Sequence, residues 1–193
     1  YRKVLESDWY KNLCFFQDEF NYATVLFYKD LELQNFHFPI TTGSISSPMG
    51  LGSDSSPVKV NIEGVETYLA DSMQFFLEFA CRLNEKGAYY ISPSFRGEKA
   101  DKRQLSQFIH SEAEIRGGLQ DIIKLCQDYL EFLVTHFLET CDKQLKEMIG
   151  SLEHIESFLK ICHRIPRCTF DDAVKILNND SKFVRDYGDY RII

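Results

Sequence analysis

No stretch of this 193-residue chain is apolar enough for long enough to span a bilayer. The first residues, Tyr1 to Asp8, are polar and mixed in charge and lack the pattern of a secretory signal. There is no Lys/Arg run, and the net charge is −7, with 22 basic against 29 acidic residues. A protein that grips nucleic acid through phosphate contacts usually carries a basic excess or stripe, so composition argues against tight RNA binding by this segment. The six cysteines include no CxxC pair. Most fall within apolar helical patterns, as reduced core cysteines do. Cys162, His163 and Cys168 form the one Cys/His cluster, and its spacing matches no common zinc module, so no metal ligand is assigned. A cytoplasmic, reducing setting without a membrane is the simplest expectation. There is no internal repeat and no low-complexity tract beyond one Ser/Gly loop.

What is present is ordinary globular composition, 44% hydrophobic and 26% charged, enough for one domain with a real core. Leu5, Trp9, Leu13, Phe16, Phe20, Ala23 and Phe27 recur at helical spacing and predict a helix over 4–31. A short strand, 35–39, closes on Pro39. Residues 41–57 are rich in Ser, Gly and Pro, and read as a long loop, either a substrate-facing lid or a disordered segment. Val58–Ile62 alternates like a strand, with Val65–Leu69 as its hairpin partner. Asp71, with Gln74 three residues on, predicts a capped helix that Gly87 ends. Ala88–Phe95 and Leu105–Ile115 predict an antiparallel hairpin with a charged tip. After Gly117-Gly118 a helical pattern runs to Met148, is interrupted at Gly150 and resumes over 151–162. A short amphipathic helix, 169–177, starts at a Thr169 cap.

The hairpin carries the chemistry. Arg96 presents a donor fork that matches a phosphate, Phe108 a flat face for a base, and Glu98 an acceptor for an exocyclic amine. A second reading stays open on the residues alone, with Arg96 and Glu98 as a surface ion pair and Phe108 as core.

The pattern Phe95-Arg96-Gly97-Glu98, then Arg103-Gln104-Leu105-Ser106-Gln107-Phe108, then Glu112-Ala113-Glu114, resembles motif 2 of class II aminoacyl-tRNA synthetases of the aspartyl/asparaginyl/lysyl subgroup. Upstream, the segment from Tyr68 through Ser72 and Gln74 to Glu78 resembles that family's L-x-x-S-x-Q-x-x-L-E helix. Residues 4–39 resemble motif 1, and Arg167 to Leu177 resembles a short helix of the asparaginyl enzymes. The resemblance implies one α+β catalytic domain over 1–193: an antiparallel sheet flanked by helices, a substrate loop over 40–57, a motif 2 hairpin over 88–115 and a helical insertion over 119–162, extended to 177 by the short helix. It implies a ligase that forms an aminoacyl adenylate from ATP with Mg2+, acts on aspartate or asparagine, transfers to tRNA and forms a homodimer. In that frame Arg96 is catalytic, Arg96, Glu98, Arg103 and Phe108 bind ATP, and Ser72 and Gln74 line the amino-acid pocket.

Four departures accompany the resemblance. Gln104 stands where the family usually has His, and the hairpin tip is one residue shorter. The 41–57 loop has Asp54 as its one acidic residue. No anticodon-binding barrel precedes the motif 1 helix. Motif 3 is not reached by Ile193, so the chain is expected to continue beyond it. Two alternatives are therefore kept: a freestanding paralogue, similar to asparagine synthetases, that passes the activated amino acid to ammonia or another amine, and an inactive dimerising domain.

Overall fold

The computed structural model describes residues 1–42, 56–102, 104–177, 184–185 and 191–192, the last two pairs as backbone strands. The fold is α+β, and the chain divides into two compact units, 1–33 with 117–166 and 34–116 with 167–193.

The first unit is helical. The expected 4–31 helix is two, α1 (Arg2–Glu6) and α2 (Asp8–Asp30), because Ser7 is extended at φ −89°, ψ 121°. α2 packs with α4 (Leu119–Thr140) and α5 (Asp142–Ile149), α6 (Glu153–Leu159) packs on α4, and a 3-10 turn, Cys162–Arg164, follows. The core joins Ala23 to Leu133, Phe137, Cys141, Leu145 and Leu152. Phe16 and Phe20 lie 4.6 and 5.7 Å from the Phe137 ring. The long helical pattern breaks at Cys141, earlier than at the expected Gly150. The Thr140 hydroxyl donates back to the His136 carbonyl at 2.7 Å, a local competitor of the helix ladder. The bend there brings Leu145 and Leu152 into the same core as the fully buried Cys141.

The second unit holds two three-stranded sheets. β1 (Gln34–Asn35), β5 (Ala88–Phe95) and β6 (Gln107–Glu114) form one, in the order β1-β5-β6. β2 (Thr41–Thr42), β4 (Val65–Leu69) and β3 (Val58–Ile62) form the other, in the order β2-β4-β3. All pairings are antiparallel except β1 with β5, which is parallel, so the first sheet is not wholly antiparallel. The predicted 35–39 strand shrinks to β1, ending well short of Pro39. α3 (Gln74–Leu83) supplies Leu77, Ala80 and Cys81 to a core shared with Ala70, Met73, Ala88 and Tyr90.

Gly87 ends the link from α3 to β5 at φ +125°, where a Cβ would meet the Glu114 carbonyl at 2.5 Å, so no side chain fits there. α7 (Phe170–Ile176) starts as expected, with Thr169 Oγ1 accepting from the Asp172 N–H at 3.1 Å. β7 (Val184–Arg185) pairs with β8 (Arg191–Ile192). Among the described residues no helix is long and apolar enough to cross a membrane, and no group of three or more His, Cys, Asp or Glu side chains is placed to hold a metal.

Candidate functional site

The β5–β6 register sets the site. Ser94 lies opposite Phe108, Ser92 opposite His110, Tyr90 opposite Glu112 and Ala88 opposite Glu114. Alternation then places Phe108, His110, Glu112 and Glu114 in a row on one face. Beyond the strand ends, the Arg96 N–H donates to the Ser106 carbonyl at 2.9 Å and the Gln104 N–H to Asp101 Oδ1 at 2.8 Å, which shapes the tip.

A cavity of about 320 Å³ opens at this tip, lined by Arg96, Glu98, Lys99, Gln104, Leu105 and Phe108 among others. Three of the four expected nucleotide contacts, Arg96, Glu98 and Phe108, therefore meet at one place. The Arg96 guanidinium carbon stands 5.7 Å from the centre of the Phe108 ring. Glu98 Oε2 is buried and has no hydrogen-bond partner among the described residues. A buried acceptor left unpaired is unfavourable by about 1–3 kcal/mol, and the arrangement suits a ligand that brings a donor. Arg103 and Asp54 lie outside the described residues, as do positions 43–55 of the expected substrate loop.

The loop's second stem is fixed to the same tip. The Gly97 N–H, between Arg96 and Glu98, donates to the Ser56 carbonyl at 2.9 Å. On the other side, the Ala70 N–H donates to the Ile40 carbonyl at 3.0 Å, and the Thr67 hydroxyl to the Thr42 carbonyl at 2.6 Å.

Ser72 sits farther along the row. Its buried hydroxyl lies 3.0 and 2.9 Å from the two oxygens of Glu112 and accepts from the Gln74 N–H at 3.0 Å. Glu112 Oε2 also accepts from the Tyr90 phenol and, at 3.3 Å, from the Met73 N–H, which in turn lies 2.9 Å from the Tyr90 oxygen. Burial, then the adjoining Glu112 carboxylate, pushes the Tyr90 phenol well above its ordinary pKa and keeps it a donor. The expected Asp71–Gln74 capping box is thus replaced: α3 starts at Gln74, its N-cap is Met73 without a side-chain cap bond, and the Gln74 side chain is exposed. A carboxylate forty positions away, together with Ser72, satisfies the backbone donors at this helix start.

Sequence reasoning placed His110, Glu112 and Glu114 on one strand face but gave them no role. His110 Nε2 lies 3.4 Å from Glu112 Oε1, and Nδ1 lies 3.2 Å from the Ser94 hydroxyl and 3.3 Å from the Asp71 carbonyl. Burial, then Glu78 and Glu112, raises the Glu114 carboxyl above its ordinary range.

A family model described as class II tRNA synthetases (D, K and N) matches residues 8–190. The asparagine–tRNA ligase of Koribacter versatilis is 30% identical over 142 residues, covering 72% of this chain and 31% of the relative. That of Thermoplasma acidophilum is 26% identical over 164 residues, covering 84% and 37%. The chain thus spans about a third of the length of the curated relatives it matches. Among solved structures, asparaginyl-tRNA synthetase from Pyrococcus horikoshii complexed with asparaginyl-adenylate superposes with a TM-score of 0.77 at 23% identity, covering 88% of this chain and 37% of that one, a likeness of fold.

Proposed function

We propose, from the premise that this chain belongs to the class II tRNA synthetases of the D, K and N type, that it forms part of a ligase that activates an amino acid with ATP. The observation that carries the reading is the tip cavity, where Arg96, Phe108 and the unpartnered Glu98 Oε2 meet. Phe108 stacks on the adenine and Glu98 accepts from its exocyclic amine. Arg96 faces the α-phosphate. A carboxylate oxygen of the amino acid attacks the α-phosphorus, the bond to the β-phosphate oxygen breaks in line, and pyrophosphate leaves with the electron pair. A fixed guanidinium at that point stabilises the charge that builds on the equatorial oxygens. Arg103 is assigned to the outer phosphates on resemblance alone. Magnesium is expected of such chemistry; no group of three or more His, Cys, Asp or Glu side chains among the described residues is placed to hold a metal, and no step here runs through one.

The amino acid binds toward Ser72. A hydroxyl has one proton and two lone pairs. The proton goes to Glu112 and one lone pair to the Gln74 N–H, so toward a ligand Ser72 offers only an acceptor. It therefore takes the substrate's ammonium group rather than a carboxylate. The names of the relatives favour asparagine as substrate and tRNA as acceptor, and one of them a cytoplasmic setting; a homodimer is assigned on the resemblance alone.

The test is amino-acid-dependent ATP–pyrophosphate exchange by the full-length gene product across a panel of amino acids. Exchange with asparagine or aspartate supports the reading, and silence with every amino acid sinks it. Asparagine released from aspartate in the presence of ammonia would replace tRNA by ammonia as the acceptor.

A further inference from the structure

We propose that His110 is a positioning residue for the amino-acid half of the site: it holds Glu112 in the orientation that fixes the Ser72 hydroxyl. What Ser72 does rests on the reading above, whereas the part played by His110 rests on geometry.

The terminal torsion of a glutamate is broad and soft, so an unrestrained carboxylate turns about its last bond. Glu112 is restrained on both oxygens. Tyr90 and the Met73 N–H hold Oε2, and His110 Nε2 faces Oε1 at 3.4 Å. That contact is an ion pair in the imidazolium form. His110 is itself held. Its Nδ1 faces the Ser94 hydroxyl, on a residue only 2% exposed, and the Asp71 carbonyl. A carbonyl and a carboxylate only accept, so the Asp71 contact needs Nδ1–H and the Glu112 contact Nε2–H, and the imidazolium form makes both together. Phe108 and Tyr90 flank the ring, both edge-on, at 5.7 and 6.4 Å. Asp71 immediately precedes Ser72. The one imidazole therefore tethers the backbone just ahead of Ser72 and the carboxylate to which Ser72 donates.

A Ser–His–Glu nucleophilic triad is excluded by the same geometry, because Ser94 is buried and lies against Nδ1 rather than at an open face. Substrate contact is not required for the effect. Loosening Glu112 frees the Ser72 proton to turn, and an acceptor becomes a mixture of donor and acceptor.

A scaffold role would affect both substrates or stability alone, and a positioning role affects them unequally. In exchange assays on the full-length protein, His110→Leu keeps an apolar body against Phe108 and Tyr90 but removes both nitrogen contacts. It is expected to raise the amino-acid KM about tenfold, as loss of one charge-assisted contact does, and to leave the ATP KM within about twofold. His110→Gln, whose amide N–H can face Glu112, is expected to return the amino-acid KM to within about threefold of wild type. Equal changes in both KM values, no change in either, or a Gln variant no better than Leu would overturn the proposal. A readout independent of turnover is the imidazole 15N spectrum of His110 with and without Glu112→Gln. A displaced Nε2 resonance supports the contact, and an unmoved one overturns it. Wild-type protein silent in exchange refutes the proposed function, and the spectrum still decides the role of His110.

Discussion

Gly97→Ala probes the tie between the loop stem and the cavity at the hairpin tip. A Cβ on Gly97 would stand 2.9 Å from the Ser56 carbonyl, 3.2 Å from that of Pro57 and 3.3 Å from Ser56 Cβ. The neighbour that must yield is backbone, just ahead of β3, whose five residues are paired in register with β4. Relief comes when the hairpin tip lifts or the Ser56–Pro57 backbone retreats, and either stretches the Gly97–Ser56 bond. Overpacking is unfavourable by about 1–3 kcal/mol. Loss of an exposed backbone bond adds about 0.5–1.5 kcal/mol. The stiffer unfolded chain of an Ala variant offsets about 0.4–1 kcal/mol. A net loss near 2 kcal/mol corresponds to a melting temperature roughly 4–8 °C lower in a domain of this size. The functional effect should be larger, because Arg96 and Glu98 flank Gly97 and a displacement of about 1 Å in a positioned group can lower a rate about 100-fold. The assay is pyrophosphate exchange at varied ATP, with thermal melts. Gly64→Ala is the control: Gly64 has φ +86° and open space around its Cβ position, so that variant should lose stability but keep exchange. A Gly97→Ala protein with wild-type melting and wild-type ATP KM would refute the argument.

Arg96→Ala is expected to lower the exchange rate about 10²–10³-fold with its melting curve retained, as removal of one preorganised donor does, and wild-type exchange would place the phosphate elsewhere. Glu114→Gln tests a linkage. The folded-state pKa is raised, so the protonated form favours folding, and wild-type stability falls as pH rises from the ordinary carboxylate value, about 4.3, through the raised one. The variant should show no such fall and be the more stable above that window; melts from acid to neutral pH that narrow the gap between the two proteins would contradict it. Phe137→Ala removes the ring that meets Phe16 and Phe20, and chemical denaturation should report a loss of about 3–5 kcal/mol; a loss under 1 kcal/mol would mean that those contacts do not form the core.

The legible parts of the fold are those whose causes are local. Alternation and the charged tip reveal β5 and β6 within two residues, and Thr169 marks the start of α7 because its partner is three positions away. The start of α3 misleads, since Asp71 and Gln74 have the right spacing but the donors there are met by Glu112 from the neighbouring strand. No local pattern can show a contact across forty residues. The same holds for His110, which reads as one polar position in an alternating strand until Ser94, Asp71 and Glu112 surround it. The break at Cys141 is hidden for a related reason: the helical period persists through it, and only the shared core decides that the axis bends. The motif resemblance pointed to residues that line one cavity, because Arg96, Glu98 and Phe108 are set by one hairpin.

The helical unit is sewn from two distant pieces of chain, and this has a consequence during synthesis. α2 leaves the ribosome about 90 residues before α4 begins, a wait of roughly 5–18 s at 5–20 residues per second. Through that interval Phe16, Phe20 and Ala23 have no Phe137 or Leu133 to cover them. The nascent α2 therefore carries an apolar face in search of a partner, and the sheet-bearing segment 34–116 between the two pieces has time to begin folding first.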